Sequence, residues 1–276
     1  MFVLPVVVIV GVFVLYPIVD TFGISFTDYY GFGAKTFVGT ANYAQLVTKP
    51  NVVQALGNSA LIAVVVTVVL TVLPLPISYW IHRGIPLRRF FRAVYYIPVV
   101  LPIVVSSVAW KFLFDAHGLL NYLLDLVGLK PVGWLSDPKV AIWSIMIVIV
   151  WRSVGIYMLI YLANFLYISE DLFEAAALDG AGGVRSFFSI AVPMMKPSIL
   201  LCSVVSFAGA IKAFDEVFII TNGGPVGSTT NASYLIWQTA FKYGSFGSAS
   251  AMAMVLLAIV VVFAGGVLFV ARRRSE

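Results

Sequence analysis

Ser169-Glu-Asp-Leu-Phe-Glu174-Ala-Ala-Ala-Leu-Asp179-Gly180-Ala-Gly-Gly183-Val-Arg-Ser-Phe-Phe-Ser-Ile-Ala-Val-Pro193 is the stretch on which the fold of this chain turns. Ser169 is a good N-cap, and Glu170 and Asp171 fall in the first turn, where they complement the helix dipole. A short helix is predicted to about Leu178. Asp179, Gly180, Gly182 and Gly183 should break it, because a turn here needs backbone freedom that glycine supplies cheaply. A second short helix, from Val184 to about Ala191, is expected to stop at Pro193, with Pro197 opening the next apolar run. The first helix presents Ala175, Ala176 and Ala177, and such small side chains let another backbone come close. Physics alone leaves two readings: a knob that docks in a groove of another protein, or a helical hairpin lying on lipid headgroups.

Outward from this loop the sequence is almost free of charge over long distances. Six stretches reach the roughly 20 apolar residues needed to cross a bilayer: Phe2 to Val19, Ala60 to Trp80, Ala93 to Trp110, Val140 to Leu162, Ser198 to Ile220 and Ser248 to Ala271. Their continuous apolar character predicts helices, since barrel strands would alternate polar and apolar residues. Over 276 residues, 61% are hydrophobic and 11% charged, and the mean hydropathy is +1.02. A chain of that composition has too little polar surface to coat a globule in water. A soluble enzyme, a nucleic-acid binder and a disordered chain are thereby excluded. The fold class is all-α and membrane-embedded, a single domain over 1–276 with a long loop at 164–197. Pro5, Pro17, Pro74, Pro76, Pro98 and Pro102 lie in or near the ends of the apolar runs, where kinks are tolerated if neighbours or water satisfy the freed carbonyls.

The basic residues orient the chain. Arg83, Arg88, Arg89, Arg92, Arg185, Lys196 and the terminal Arg272, Arg273 and Arg274 fall on one set of loops, against Lys35, Lys49, Lys130, Lys139 and Lys242 on the other. The positive-inside rule makes the first set cytoplasmic and puts both termini inside. The first apolar run has neither a basic leader nor a small-residue cleavage site. It is expected to be a retained span, its start codon assigned late or its leader trimmed, and not a signal peptide.

Charge inside a span costs roughly 2.5–3.5 kcal/mol at the helix centre and usually faces a cavity or a partner. Arg152 lies near the middle of the fourth run and is the sharpest cavity candidate; a buried pair with Asp215 or Glu216 is the alternative. Lys212 precedes Asp215 by three residues and Glu216 by four, so on a helix they would share a face and offset one another. Lys111 and Asp115 are similarly spaced and read as an interfacial pair. Cys202 stands alone in an apolar run, His82 and His117 are read as lying on different loops, and neither a metal site nor a disulfide framework is expected. No intramembrane nucleophile with a base, and hence no catalytic residue, is apparent.

The run Glu174-Ala-Ala-Ala-Leu-Asp179-Gly180-Ala181-Gly182, continued by Phe188, Ile190, Pro193 and Pro197, resembles the EAA motif of binding-protein-dependent ABC transporter permeases. It stands before the penultimate apolar run, where that family carries it. Phe214-Asp215, then Thr221-Asn-Gly-Gly-Pro225, and later Trp237-Gln-Thr-Ala-Phe241 resemble the carbohydrate-uptake branch, in particular the first permease of the maltose or lactose type. The likeness covers about Pro5 to Ala271. One departure is the lack of the large extracytoplasmic insert and extra N-terminal helices of the longest maltose-type members, so the shorter six-helix members compare better.

The resemblance implies a type I (MetI-like) permease fold that pairs with a homologous second permease, two ABC ATPase subunits and an extracytoplasmic solute-binding protein, in a bacterial plasma membrane. Glu174, Ala175, Ala176, Asp179, Gly180, Ala181 and Gly182 would couple to the ATPase. Glu174 would pair with a basic residue of the ATPase cleft, Asp179 would cap the turn and Gly180 would permit it. The chain lacks GxxxxGK[ST]: Gly180 to Gly183 has no Lys or Ser/Thr, and Gly31-Phe-Gly33 is only a turn. ATP and Mg would therefore be bound by the partner, with no cofactor in this chain. ATP-driven rocking of kinked helices would open the cavity outward. The family's cavity position points to Ser153, Ile156 and Tyr157 on the fourth run and Ala210, Ala213 and Phe214 on the fifth; Arg152, Lys212 and Asp215 join them as charged candidates. Ile156, Ala210 and Ala213 offer a sugar no hydrogen bond, which assigns selectivity to the binding protein. Ser106, Ser107 and Trp110 are weaker candidates, Trp110 being placed like an interfacial anchor.

The outer loops Phe32 to Asn51 and Thr221 to Gly247 suit docking by a binding protein or are solvated linkers. Asn231-Ala-Ser233 fits a glycosylation sequon but carries little weight in a bacterial-type permease. The competing reading is a secondary transporter or channel in which Arg152, Lys212 and Asp215 form a relay; no filter sequence or inverted repeat supports it.

Overall fold

In lipid only a helix satisfies every backbone group within its own segment, and the apolar runs fold accordingly. The computed structural model describes residues 3–273, with side chains to position 271. Met1, Phe2 and positions 274–276, with the side chains of Arg272 and Arg273, lie outside the described residues, so the C-terminal part of the basic set does too. Helix α1 (Leu4–Ile24) begins the chain and buries none of its side chains. A two-stranded antiparallel hairpin, β1 (Thr27–Asp28) with β2 (Thr36–Phe37), pairs Thr27 with Phe37. It leads into α2 (Ala41–Thr48), α3 (Pro50–Val72) and α4 (Pro74–His82). Together α3 and α4 make one apolar stretch of 33 residues, interrupted at Leu73 because Pro74 and Pro76 supply no N–H to the ladder. His82 is thus the last residue of a helix and not a loop residue, and its ring stacks on Phe165 with centroids 5.4 Å apart.

The third apolar run is not one continuous helix. It forms α5 (Arg88–Val100) and α6 (Ile103–Leu113), which bend by 103° across Leu101 and Pro102. Leu101 is driven to an extended ψ of 134° because the proline ring behind it disfavours the helical region. Helix α7 (Leu119–Leu126) follows. Lys111 and Asp115 make no ion pair within 4.0 Å; the Asp115 carboxylate instead accepts the His117 backbone N–H at 3.0 Å.

Helix α8 (Ala141–Phe165) is the axis of the molecule. Its buried Ile145, Val148 and Ile149 meet Ile62, Val66 and Leu70 of α3, Tyr79 of α4 and the free Cys202 in one continuous core. Gly155 lets α5 cross α8 at backbone contact, since a Cβ there would overlap the Tyr95 carbonyl.

The loop after α8 contains α9 (Glu170–Leu178) and α10 (Gly183–Met194). The second of these runs past Pro193, where it had been expected to stop, because a π-helical turn at Phe187–Ala191 relieves the ladder position that proline leaves empty. The break comes at Met195, with a bend of 71° into α11 (Lys196–Ala210). The fifth run therefore ends as a helix at Ala210, ten residues short of Ile220. The Ile211 and Ala213 carbonyls freed by that break are taken by Ser233 Oγ and Asn231 Nδ2. A π-helical turn at Val217–Thr221, then α12 (Ala232–Trp237) and α13 (Phe246–Arg273), complete the chain. Among the described residues four helices are long and apolar enough to cross a membrane, and up to six spans result if each bent pair counts as one.

Candidate functional site

Local chemistry shapes the loop between α8 and α11 as the sequence predicts for its first half. Ser169 caps α9 by accepting the Asp171 N–H at 3.3 Å. The helix ends in a Schellman turn: Gly180 N–H reaches the Ala177 carbonyl at 3.0 Å and Ala181 N–H the Ala176 carbonyl at 2.8 Å. That turn requires a left-handed residue, and Gly180 sits at φ +79° with open space around it. Phe173 is buried under the helix, while Glu174, Ala175, Asp179, Gly180 and Gly182 are exposed and Ala176 and Ala181 partly so. An anchored helix thus presents an acidic and small-residue ridge to whatever lies beyond it.

The second feature is a cavity of about 220 Å³ between α3, α8, α11 and the turn after α11. Arg152, Ser153 and Tyr157 line it from α8, and Ala210, Lys212, Ala213, Phe214 and Asp215 from the other side. Ile156 does not join them. It is 46% exposed and projects where no described element covers α8. Residues passed over in the sequence also line the cavity: Val66 and Leu70 of α3, Ile103 at the start of α6, and Ser206 and Gly209 on α11. Ser206, four residues before Ala210, lies on the same helical face, a signal the spacing did carry.

Arg152 is both a cavity residue and an ion-pair partner. Its Nη2 stands 3.2 Å from Oε1 of Glu216, whose side chain is 3% exposed. Lys212 does not offset the acidic pair, because the helix ends before it and the expected common face does not exist. Lys212 and Asp215 have no ion-pair partner within 4.0 Å among the described residues and are open to the cavity. Two fixed charges locked together beside two free ones, over apolar walls and the Ser153, Ser206 and Tyr157 hydroxyls, form a polar chamber within the helical bundle. Ser106 and Ser107 are buried in α6, with Ser106 Oγ bonded to the Pro102 and Ile103 carbonyls. Trp110 packs against Phe114 and Trp151 as a core ring.

At the opposite end from Gly180 the loops within 25–51 and 221–247 are held by hydrogen bonds. Asn58 Nδ2 holds the Ser228 and Thr230 carbonyls at 2.9 and 2.8 Å, and Phe246 N–H reaches the Tyr29 carbonyl at 2.9 Å. Asn231 is fully buried, capping α12 through the Tyr234 N–H, so the sequon asparagine is inaccessible. The Tyr234 phenol is pushed up by burial, with a Gln238 hydrogen bond opposing; the Tyr30 phenol is raised by its hydrogen bond to the Asp28 carboxylate. Phe32, Phe37, Val226 and Phe241 stand out from these loops, each more than two-thirds exposed.

Broken helices around a polar chamber, with an exposed capped helix between the two spans that wall it, define the membrane subunit of a type I importer. The chain belongs to the family described as binding-protein-dependent transport system inner membrane component, whose model matches residues 72–276. It is a transport component and not an enzyme. Among curated relatives, it is 31% identical over 276 residues to the trehalose/maltose transport system permease protein MalF of Thermococcus litoralis, covering 99% of this chain and 93% of that one. It is 33% identical to the lactose transport system permease protein LacF of Rhizobium radiobacter, covering 100% of this chain and 94% of the relative. A solved bacterial ABC transporter that imports alginate contains a chain of the same fold, with a TM-score of 0.87 at 18% identity, covering 100% of this chain and 95% of that chain.

Proposed function

We propose that this chain carries a neutral sugar across the membrane as one of two homologous permeases in an ATP-driven importer, the sugar being handed over by an extracytoplasmic binding protein. The relatives named for trehalose and maltose, for lactose and for diacetylchitobiose support the cargo class. The observation that carries the reading is that the ridge Glu174 to Gly182 hangs between α8 and α11, the two helices that face each other across the chamber. A force applied to the ridge reaches both chamber walls. In this reading the whole chain, 1–276, is one permease domain, and loop 164–197 seats in a cleft of one of two ATPase subunits. Those subunits bind ATP and Mg, and both termini of this chain are cytoplasmic. The apolar tips Phe32, Phe37 and Val226 meet the binding protein, and Arg152, Ser153, Tyr157, Ala210, Lys212, Ala213, Phe214 and Asp215 form the solute path.

The test is uptake of radiolabelled maltose, trehalose, lactose and diacetylchitobiose by cells expressing the complete transporter. Gly180→Asp is expected to abolish uptake while the subunit remains in the membrane; undiminished uptake overturns the coupling role. Uptake that survives a Walker-motif mutation in the ATPase but collapses with a proton uncoupler would instead establish a secondary transporter.

A further inference from the structure

Coupling requires more than a loop that touches a motor; the loop must also grip the helices that shape the chamber. In this chain α9 has little grip of its own, because eight of its nine residues are at least partly exposed and only Phe173 is buried. What holds it is the C-terminal end of α4. Arg83 Nη1 lies 3.6 Å from Oε2 of Glu170, and the Arg83 guanidinium covers the Phe173 ring at 5.0 Å. Tyr79, fully buried, packs its ring 6.1 Å from that of Phe173 and 5.1 Å from that of Phe187. Its hydroxyl donates to the Gly183 carbonyl at 3.0 Å, at the start of α10. Trp80 lies against the same glycine, where a Cβ would meet the indole at 2.8 Å. One turn of α4 therefore clamps both helices of the loop.

The same helix is bonded to the chamber. Ser78 Oγ, fully buried, stands 2.6 Å from the Pro74 carbonyl of its own helix and 3.0 Å from the Met158 carbonyl of α8, so its single hydrogen is shared between them. Ile81 of α4 packs with Met158 and Leu162 in the same seam, one residue from Tyr157 on the chamber wall. Tyr161 of α8 donates to the Thr71 carbonyl at 2.9 Å, which pins the end of α3, and not α4, to α8 just before the break at Leu73. Helix α4 is thus free of the ladder of α3 at one end, fixed to α8 in its middle and fixed to the loop at its other end.

We propose that α4 is the transmission lever of this permease: Arg83 and Tyr79 are positioning residues that carry displacement of the coupling loop through Ser78 into α8 and so to the chamber. The inference rests on the coupling role proposed for the loop and extends it to residues more than 80 positions upstream of that loop. Coupling between sites travels through packed, hydrogen-bonded elements of this kind, and it is established by perturbing the element. The Arg83–Glu170 pair is partly exposed, so its loss changes stability little. Glu170 Oε1 also lies 3.9 Å from His82 Nε2, so Glu170→Arg removes both contacts while Arg83→Glu leaves the imidazole facing Glu170.

The experiment uses the complete transporter in proteoliposomes, with sugar uptake and ATP hydrolysis read in the same vesicles. Arg83→Glu and Glu170→Arg should each leave the ATPase subunits bound and basal hydrolysis intact but lower the sugar moved per ATP by about fivefold, the low end of typical allosteric coupling. The exchanged pair Arg83→Glu/Glu170→Arg should recover to within about twofold of the parent. An unchanged ratio in the single variants, or no recovery in the exchanged pair, overturns the lever. Where a charge reversal prevents assembly, Tyr79→Phe decides, because it removes only the hydroxyl that reaches Gly183: a lowered ratio supports the lever and an unchanged one overturns it. Gly180→Asp is run alongside. If that variant transports normally, the coupling role of the loop has failed, whatever Arg83 shows.

Discussion

Replacing Arg152 by Met strips the partner from a carboxylate that is 3% exposed. At 3.2 Å and an effective dielectric of about 20, the pair attracts by about 5 kcal/mol, much of which offsets the cost of taking both charges out of water. Deleting one member of a buried pair typically costs about 3–5 kcal/mol, because the other charge is left stranded. The Arg152 side chain is 30% exposed to the chamber, so water can enter beside Glu216, and a loss of about 2–3 kcal/mol is expected. Arg152→Met/Glu216→Met should recover most of it, since two apolar side chains of similar volume strand no charge. Glu216→Gln alone should cost about 1 kcal/mol, as the amide oxygen still accepts the guanidinium hydrogen bond. Equilibrium unfolding of the parent, Arg152→Met, Glu216→Met and the double Met variant in mixed detergent micelles, followed by circular dichroism, gives the double-mutant cycle, with Glu216→Gln measured beside it. A coupling energy under about 0.5 kcal/mol, or a double variant as unstable as the sum of its singles, would refute the claim that these two side chains form a desolvated pair.

Two further outcomes follow from close packing. Gly155→Ala should lower the melting temperature through an overpacking cost of about 1–3 kcal/mol, because its methyl would strike the Tyr95 carbonyl, whereas Gly265→Ala, in open space, should be neutral; equal effects in a thermal-shift assay would contradict the contact between α5 and α8. Asn231→Ala removes a buried bond to the Tyr234 N–H and another to the Ala213 carbonyl, at about 1–3 kcal/mol, and should speed amide exchange over 211–234 while 145–158 stays protected.

The outline was legible because lipid leaves the chain few choices. Six long apolar runs can only be helices, and the capped helix Glu170–Leu178 was readable from Ser169, two acidic residues and Gly180, each of which acts within one turn of its own backbone. The errors fall where a backbone break had to be weighed against apolar content. The third run looked continuous, yet Pro102 turns it through 103°; the fifth looked helical to Ile220, yet it stops at Ala210, because its freed carbonyls find Asn231 and Ser233, some twenty residues on. No window of local sequence contains that compensation.

The chamber shows the same division. By itself the sequence determined that a few charges must be housed inside the membrane and which they are, since a lone Arg or Lys in an apolar run demands a partner or a cavity. Only the tertiary structure decided which partner. With Ala210 ending α11, Glu216 swings away from Lys212 and reaches Arg152 from another element, Asp215 and Lys212 are left facing the chamber, and Ile156 is left uncovered. Periodicity fixes faces along one helix; where that helix ends, and what stands across from it, is set by packing between segments far apart in the chain.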